Sequence, residues 1–406
     1  CNLHPRIVTY LQEYKSTKNS NFYMLPKIHK LVLGWRPIIP SIGTWNYPFA
    51  KVVDYYLQPI VKQSTSYLKD TGDLIEEIKK LKNFQEDFTS KIWLVTVDVE
   101  QLYPSIPLEE AFNVTADLIK VHQPKLAKVL IKMLRKTLFN NVFSYNNQTY
   151  LQVNGVATGS PVAPSVANLF LASLEKGSII TWQAHLLVYR RYIDDIFIIF
   201  KGSECELRKF QLEINSLHTK INLTWEVSLH KNIFLDLVVF KGDRYPQQLD
   251  YKVHQKQLNN YLYLPWVSSH PMHTKINLIK GEIKRYMRNC SRLCDYINIK
   301  KCFAYRLLRR GYPPAVINST INAVSYRDYK KQSEEHETSK ITHTQQQQEN
   351  QSQIIVFKTY YVSTMQLVAW SSILNPQKVL NKKLKCLTAY KKTKNLFSYC
   401  KQTMGT

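Results

Sequence analysis

The sequence predicts an α+β fold, on three observations. Short runs rich in β-branched and aromatic residues recur at 92–97, 185–192, 196–200, 222–227 and 234–240, the composition of buried strands. Between them, apolar residues return at helical spacing, as at Val52, Val53, Tyr56, Leu57 and Ile60, which marks one buried helix face. Hydrophobic residues make up 44% of the 406 and charged residues 21%. That fills a sizeable core and excludes both a wholly disordered chain and a small disulfide-stapled scaffold. Roughly 150 residues per domain gives two to three domains.

In chain order, residues 22–39 are basic and punctuated by proline, which predicts two short extended segments joined by a turn. Residues 46–77 read as helical, with Pro59 kinking or ending the first part. Residues 92–97 form an apolar strand that ends at Asp98. Residues 108–138 read as helical. Phe143-Ser144-Tyr145 and the segment 149–152 flank Asn146-Asn147, a hairpin signal. Residues 163–175 form a compact apolar helix. Strands follow at 185–192, 196–200, 222–227 and 234–240, and residues 274–325 turn helical and basic.

Lys and Arg total 55 against 30 Asp and Glu, a net charge of +25. Such a surplus favours a polyanion, either nucleic acid or an anionic membrane. It is uneven. Residues 271–326 carry eleven basic and two acidic residues, and residues 354–406 carry nine lysines and no acid. Between these blocks, 327–353 is polar and contains Gln345-Gln346-Gln347-Gln348, the composition of a flexible linker. No run of eighteen apolar residues exists, so no spanning helix is predicted. The first residues, Cys-Asn-Leu-His-Pro, are neither a start methionine nor a secretion signal, and the chain is expected to begin inside a longer reading frame. Seven scattered cysteines suit free thiols in a reducing compartment. Cys290, Cys294 and Cys302, even with His270 or His273, fit no strong zinc spacing and read as free cysteines.

The strongest local signal is Tyr192-Ile193-Asp194-Asp195 between two strand-like runs. A hairpin would present two acids at its tip, and Asp98 at the end of another strand is the natural third. Three carboxylates ~4 Å apart repel by roughly 1–4 kcal/mol per pair at dielectrics of 80 to 20. A compensating hard divalent cation suits such oxygens, and Mg2+ adds substrate phosphates to one or two carboxylates. The competing reading is a simple Asp-rich turn.

These residues stand in a familiar order. Residues 23–30 (Tyr-Met-Leu-Pro-Lys-Ile-His-Lys), Arg36-Pro37-Ile38, Asp98 to Pro107, Gly155 to Pro161, Ala167-Asn168-Leu169, Arg191 to Phe197, Phe234-Leu235-Asp236, Ser269-His270-Pro271 and residues 389–396 together resemble the reverse transcriptase of Penelope-like retroelements, itself similar to telomerase in its core. The resemblance spans about residues 22–398.

It implies a right-hand polymerase fold: fingers over 1–90, an antiparallel-sheet palm over 91–245 with an insertion around 108–150, and a helical basic thumb over 246–326. The 327–353 linker and the basic segment 354–406 would follow. Asp98, Asp194 and Asp195 would be the palm acids holding two Mg2+ ions, Mn2+ being an alternative. Tyr103 would exclude a 2′-hydroxyl. Lys27, Lys30 and Arg36 would bind the triphosphate, with Gln152 and Gly155 also at the nucleotide. Phe234, Leu235 and Asp236 would grip the primer end. Lys220 and Lys231 are candidates for the general acid, and the sequence does not choose between them. Arg285, Arg288, Arg292, Arg306, Arg309 and Arg310, interleaved with Tyr286, Tyr296 and Tyr305, would track an RNA–DNA duplex. The implied partners are an RNA template, a DNA primer and deoxynucleoside triphosphates, with no membrane, and the implied compartment is the nucleus. An inactive nucleic-acid-binding relic and an RNA-directed RNA polymerase are the alternatives. Many members end in a GIY-YIG endonuclease. No segment here resembles one, so a core fragment or a nuclease-lacking member is expected.

Overall fold

A computed structural model describes residues 3–26, 34–81, 91–242, 248–256, 258–323, 325–331, 354–360 and 385–391. The chain divides into two compact units, residues 1–262 with 284–306, and residues 263–283 with 307–406.

The first unit opens with helix α1 (Pro5–Glu13), followed by strands β1 (Ser20–Asn21), β2 (Tyr23–Pro26) and β3 (Trp35–Ile38). Strands β2 and β3 pair antiparallel, with Leu25 opposite Arg36. The stretch 46–77, read as helical with Pro59 kinking or ending its first part, is two helices, α2 (Tyr47–Val61) and α3 (Thr71–Lys80). Pro59 sits inside the last turn of α2, and Asp70 caps α3 by accepting hydrogen bonds from the Gly72 and Asp73 amides, which settles where the new helix starts.

Strand β4 (Lys91–Val99) and the short helix α4 (Leu102–Ser105) come next, then α5 (Leu108–His122) and α6 (Ala127–Phe139). The periodicity over 108–138 concealed the break at 123–126, because both helices turn apolar faces to one core. A hairpin of β5 (Val142–Tyr145) and β6 (Gln148–Leu151) follows. Its turn places Asn146 and Asn147 at positive φ, the requirement that makes Asn-Asn a hairpin signal. Strand β1 adds to β5 in parallel.

Helix α7 (Ala163–Thr181), strands β7 (Leu186–Tyr192) and β8 (Asp195–Gly202), helix α8 (Glu204–Ser216) and strand β9 (Leu223–Ser228) complete the central layer. Its sheet is antiparallel, in the order β7-β8-β4-β9. Side chains alternate between its faces. Trp93, Val95 and Val97 oppose Phe200, Ile198 and Ile196 and pack on Leu207, Phe210 and Ile214 of α8. Ile92, Leu94, Phe197 and Ile199 point the other way, onto Leu74, Ile75 and Ile78 of α3. That second cluster also takes in Phe234, Leu237, Val239 and Tyr251, from a small antiparallel sheet of β10 (Lys231–Phe234), β11 (Leu237–Lys241) and β12 (Leu249–Val253). A sheet covered on both faces explains why β4 reads as an unbroken apolar run.

The basic helical region is three helices, α9 (Met272–Arg288), α10 (Leu293–Arg309) and α11 (Pro314–Ile321). Within the second unit, the buried Lys275 donates to the Trp266 carbonyl at 2.6 Å, and the Trp266 ring meets Tyr312 at 5.2 Å. Strands β13 (Ile354–Tyr360) and β14 (Lys385–Lys391) pair in parallel there. Most of the Gln-rich linker lies outside the described residues. Among the described residues no helix is long and apolar enough to cross a membrane.

Candidate active site

Antiparallel register brings the acids together. Asp98, near the end of β4, lies directly opposite Asp195 at the start of β8, and its other neighbour is Thr224 of β9. Opposed residues share a face, so Asp98, Asp195, Thr224, Thr96 and Glu226 all look out from the face opposite α8. They line a cleft of about 760 Å³, together with Tyr192, Lys256 and the β10–β11 turn.

The turn between β7 and β8 is as short as a hairpin allows. Tyr192 pairs with Asp195, leaving Ile193 and Asp194 to reverse the chain. Ile193 takes φ 58°, a region where a β-branched residue is strained. Two bonds hold it there. The Asp194 carbonyl accepts from the Val99 amide at 3.1 Å, and the Ile193 carbonyl accepts from the Arg191 guanidinium at 3.1 Å.

Arg191 is 1% exposed. It pairs with the buried Glu175 of α7 at 2.7 Å and donates to the Asn168 side chain at 2.7 Å and the Asn168 carbonyl at 3.0 Å. The alternation of β7 turns Arg191 inward and Tyr192 outward, so one strand end supplies both the anchor and the rim of the cleft.

The second hairpin is also tethered. Leu235, in the β10–β11 turn, takes φ 51°. Asp236 accepts from Thr71 at 2.5 Å, Arg285 at 2.8 Å and Asn289 at 2.9 Å. Phe234 is buried, with its ring 5.3 Å from that of Phe197. Phe234, Leu235 and Asp236 therefore line the same cleft as Asp98 and Asp195, while the Phe234 and Asp236 side chains also hold the hairpin in place.

Gln101, at φ 48°, lies just past β4 at the N-cap of α4, which sets Tyr103 beside the acids. Burial first, then the Asp194 charge, push the Tyr103 hydroxyl up to about 12, with Arg36 of β3 acting the other way. Tyr103, Asp194 and Arg36 therefore share one electrostatic neighbourhood. The loop 155–159 braces it. The Val156 amide donates to the Tyr103 carbonyl at 2.8 Å. Gly155 has φ 70°, and a Cβ there would lie 2.6 Å from the Pro104 Cα, so only glycine permits this approach. Gln152 is engaged elsewhere, accepting from Asn141 at 2.7 Å and donating to the Asn154 carbonyl at 2.9 Å. Lys27 and Lys30 lie outside the described residues.

Asp195 shows the cost of gathering acids. Burial, then the charges of Asp194 and Asp98, push its carboxyl up to about 6, with Lys256 acting in the opposite sense. Among the described residues no three His, Cys, Asp or Glu side chains converge as a ready ion cage. A facing pair of hard-oxygen donors short of positive charge nonetheless fits Mg2+, which is held by one or two carboxylates and completed by substrate phosphates.

The basic helical region divides by exposure. Arg292 pairs with Asp250 at 2.6 Å. Arg306 donates to Gln255 at 2.6 Å and covers the Tyr261 ring, and Arg310 donates to the Tyr263 carbonyl at 2.7 Å. Tyr286 and Tyr296 are buried. Arg288, Arg309 and Tyr305 face solvent. Arg191, Glu175 and Lys256 carried no role in the sequence reading. The available signal was an Arg in a strand and a Glu in an apolar helix, each unexplained by its own element.

Residues 28–240 match the family described as reverse transcriptase (RNA-dependent DNA polymerase), and residues 262–322 match an animal helix-turn-helix domain. The "Putative COX1/OXI3 intron 2 protein" of Saccharomyces cerevisiae is 25% identical over 182 residues, 42% of this chain and 20% of that protein. A solved structure of telomerase from Candida albicans, in complex with a TWJ fragment of telomeric RNA, has a TM-score of 0.54 at 11% identity, over 84% of this chain and 59% of that one. The BmCPV RNA-dependent RNA polymerase at elongation state reaches a TM-score of 0.48 at 12% identity, over 70% of this chain and 25% of that one. The chain thus spans a fifth of the yeast relative and about three fifths of the telomerase chain.

Proposed function

The chain belongs to the reverse transcriptase (RNA-dependent DNA polymerase) family, and from that premise we propose that it extends a primer 3′-hydroxyl with deoxynucleoside triphosphates on an RNA template. The observation that carries the reading is the pairing of Asp98 with Asp195 across β4 and β8, with Asp194 in the adjoining turn. In the reaction the 3′-hydroxyl oxygen bonds to the α-phosphorus, and the bond to pyrophosphate breaks.

Asp98 and Asp194, with Asp195 beside them, would hold two Mg2+ ions, which when bound supply a more acidic hydroxyl and charge stabilisation for the leaving pyrophosphate. The protein's own groups do the rest. Arg36 meets the triphosphate as a planar, permanently charged donor. The Tyr103 ring would stand against an entering 2′-hydroxyl and so favour deoxynucleotides. The Leu235 turn seats the primer end. The motif order further supports a Penelope-like retroelement acting in the nucleus.

Primer extension on a defined RNA template with Mg2+ tests the reading. Asp194→Asn should lower extension by about 10²- to 10³-fold, the order of magnitude for losing one electrostatic stabiliser at the reacting centre, with duplex binding unchanged. Wild-type protein that is folded, binds duplex and extends no primer would indicate a relic. Preferential ribonucleotide incorporation would indicate an RNA polymerase.

A further inference from the structure

Helix α6 carries a charge pattern that the proposed reaction does not use. Its thirteen residues contain Lys128, Lys132, Arg135 and Lys136 and no acid, and Lys125 stands two residues before its first residue, Ala127. Successive steps of four place Lys128, Lys132 and Lys136 within an arc of about 80°. The opposite side of the helix holds Leu130, Leu134 and Leu138, all buried in the core. Lys125, Lys128, Lys132 and Lys136 are all exposed. Arg135 is held apart, with its guanidinium 4.9 Å from the Phe139 ring centre and 5.3 Å from that of Phe112.

Some helix lysines elsewhere have local acids. Lys79 pairs with Glu76, Lys80 with Glu77 and Lys120 with Asp117, each three residues apart. Among the described residues Lys125, Lys128, Lys132 and Lys136 form no ion pair. Like charges four apart destabilise a helix, and here no side chain of the helix offsets them. From Lys125 to Lys136 the stripe runs about 16 Å. Phosphates of one strand of a B-form DNA duplex recur about every 3.4 Å along the axis, and those of A-form RNA are no sparser, so a strand laid along the stripe offers a phosphate to each lysine.

We propose that this stripe is a docking surface for the backbone of a structured RNA, distinct from the template–primer in the cleft. The stripe reads no base edges, so it recognises a duplex backbone without sequence preference. A membrane fits less well, because the apolar side of α6 is committed to the core and leaves nothing to insert.

The test uses the full chain and a short hairpin RNA with a blocked 3′ end. In one variant Lys125, Lys128, Lys132 and Lys136 become Gln, which keeps helix propensity. A charge-matched control changes the exposed Lys15, Lys91, Lys176 and Lys209 to Gln. Fluorescence anisotropy across a salt series should show the stripe variant losing about 3.6 from the slope of log affinity against log salt, at ~0.9 for each of four phosphate contacts. Affinity should fall at least tenfold at 100 mM salt, an order of magnitude from the same counterion release. The control should change far less, and extension of a minimal template–primer should persist in both. In wild-type protein, RNA crosslinks should map to residues 125–136, a readout independent of variant folding. Equal losses in both variants would reduce the effect to net charge and overturn the proposal. So would unchanged hairpin binding, crosslinks elsewhere, or lost extension on the minimal substrate. Loss of binding to phosphatidylserine vesicles with RNA binding intact would assign the stripe to a membrane instead.

Discussion

Asp195 concentrates the electrostatics of the cleft in one carboxyl. Its neighbours and its burial lift it from 3.8 to about 6. Between those values the ion-free native state holds more protons than the unfolded chain. This group therefore lowers stability as pH rises through the window from about 4 to about 6, and contributes a constant penalty above it. An NMR carboxyl titration in chelator should place the Asp195 midpoint near 6, and Asp98→Asn should lower it by removing one repelling charge. Added Mg2+ should lower it as well. A midpoint near the ordinary 3.8 in the ion-free protein would contradict the facing arrangement of the acids. Tyr103 responds to the same field in its own way: a phenol beside a carboxylate, and largely out of water, stays neutral. It therefore offers the sugar a ring face without a charge.

The β7–β8 hairpin is the element on which the acids depend. A strained Ile193 is held by two bonds, from the Val99 amide to the Asp194 carbonyl and from the Arg191 guanidinium, inside the core, to the Ile193 carbonyl. Removing one partner of a buried ion pair costs about 3–5 kcal/mol, whereas replacing both with apolar groups is often neutral. Arg191→Met should therefore destabilise the protein by an amount in that range in urea unfolding. Adding Glu175→Leu should recover most of the stability. Extension should stay low in the double variant, because the Ile193 carbonyl and Asn168 still lack their donor. Full recovery of extension would show that Arg191 only neutralises Glu175. The β10–β11 hairpin follows the same logic, with Asp236 tied to Thr71 of α3 and to Arg285 and Asn289 at the end of α9. Strand alternation, turn signals and the tripartite order of acids were legible in the sequence at this scale. The break between α5 and α6 was not, because two helices facing one core share a periodicity. Nor was the second tie of Asp236, since its partners stand 49 to 165 residues away.

For the whole molecule, the +25 charge is divided by burial into two kinds of cation. Arg191, Arg292 and Arg306 satisfy the protein's own groups. Lys128, Lys132, Lys136, Arg288 and Arg309 face solvent. Only the second kind releases counterions from a bound strand. Affinity for an RNA–DNA duplex should fall about 10³- to 10⁵-fold between 50 and 200 mM salt if 6–10 phosphates are engaged, as read by anisotropy. Arg292→Gln should leave that slope unchanged while lowering stability. A flat salt response would overturn the polyanion reading of the surface.

By itself the sequence determined the α+β class and the reverse transcriptase family, and it singled out Asp98, Asp194 and Asp195 as candidates, because these rest on local patterns: alternation, helical spacing and short motifs in fixed order. Only the tertiary structure decided which charges face a ligand and which hold the fold. It set Asp98 against Asp195, turned Arg191 inward and left the α6 lysines unopposed. The physical reason is that a side chain's role depends on what lies across the sheet or beneath the helix, and those neighbours are distant in the chain.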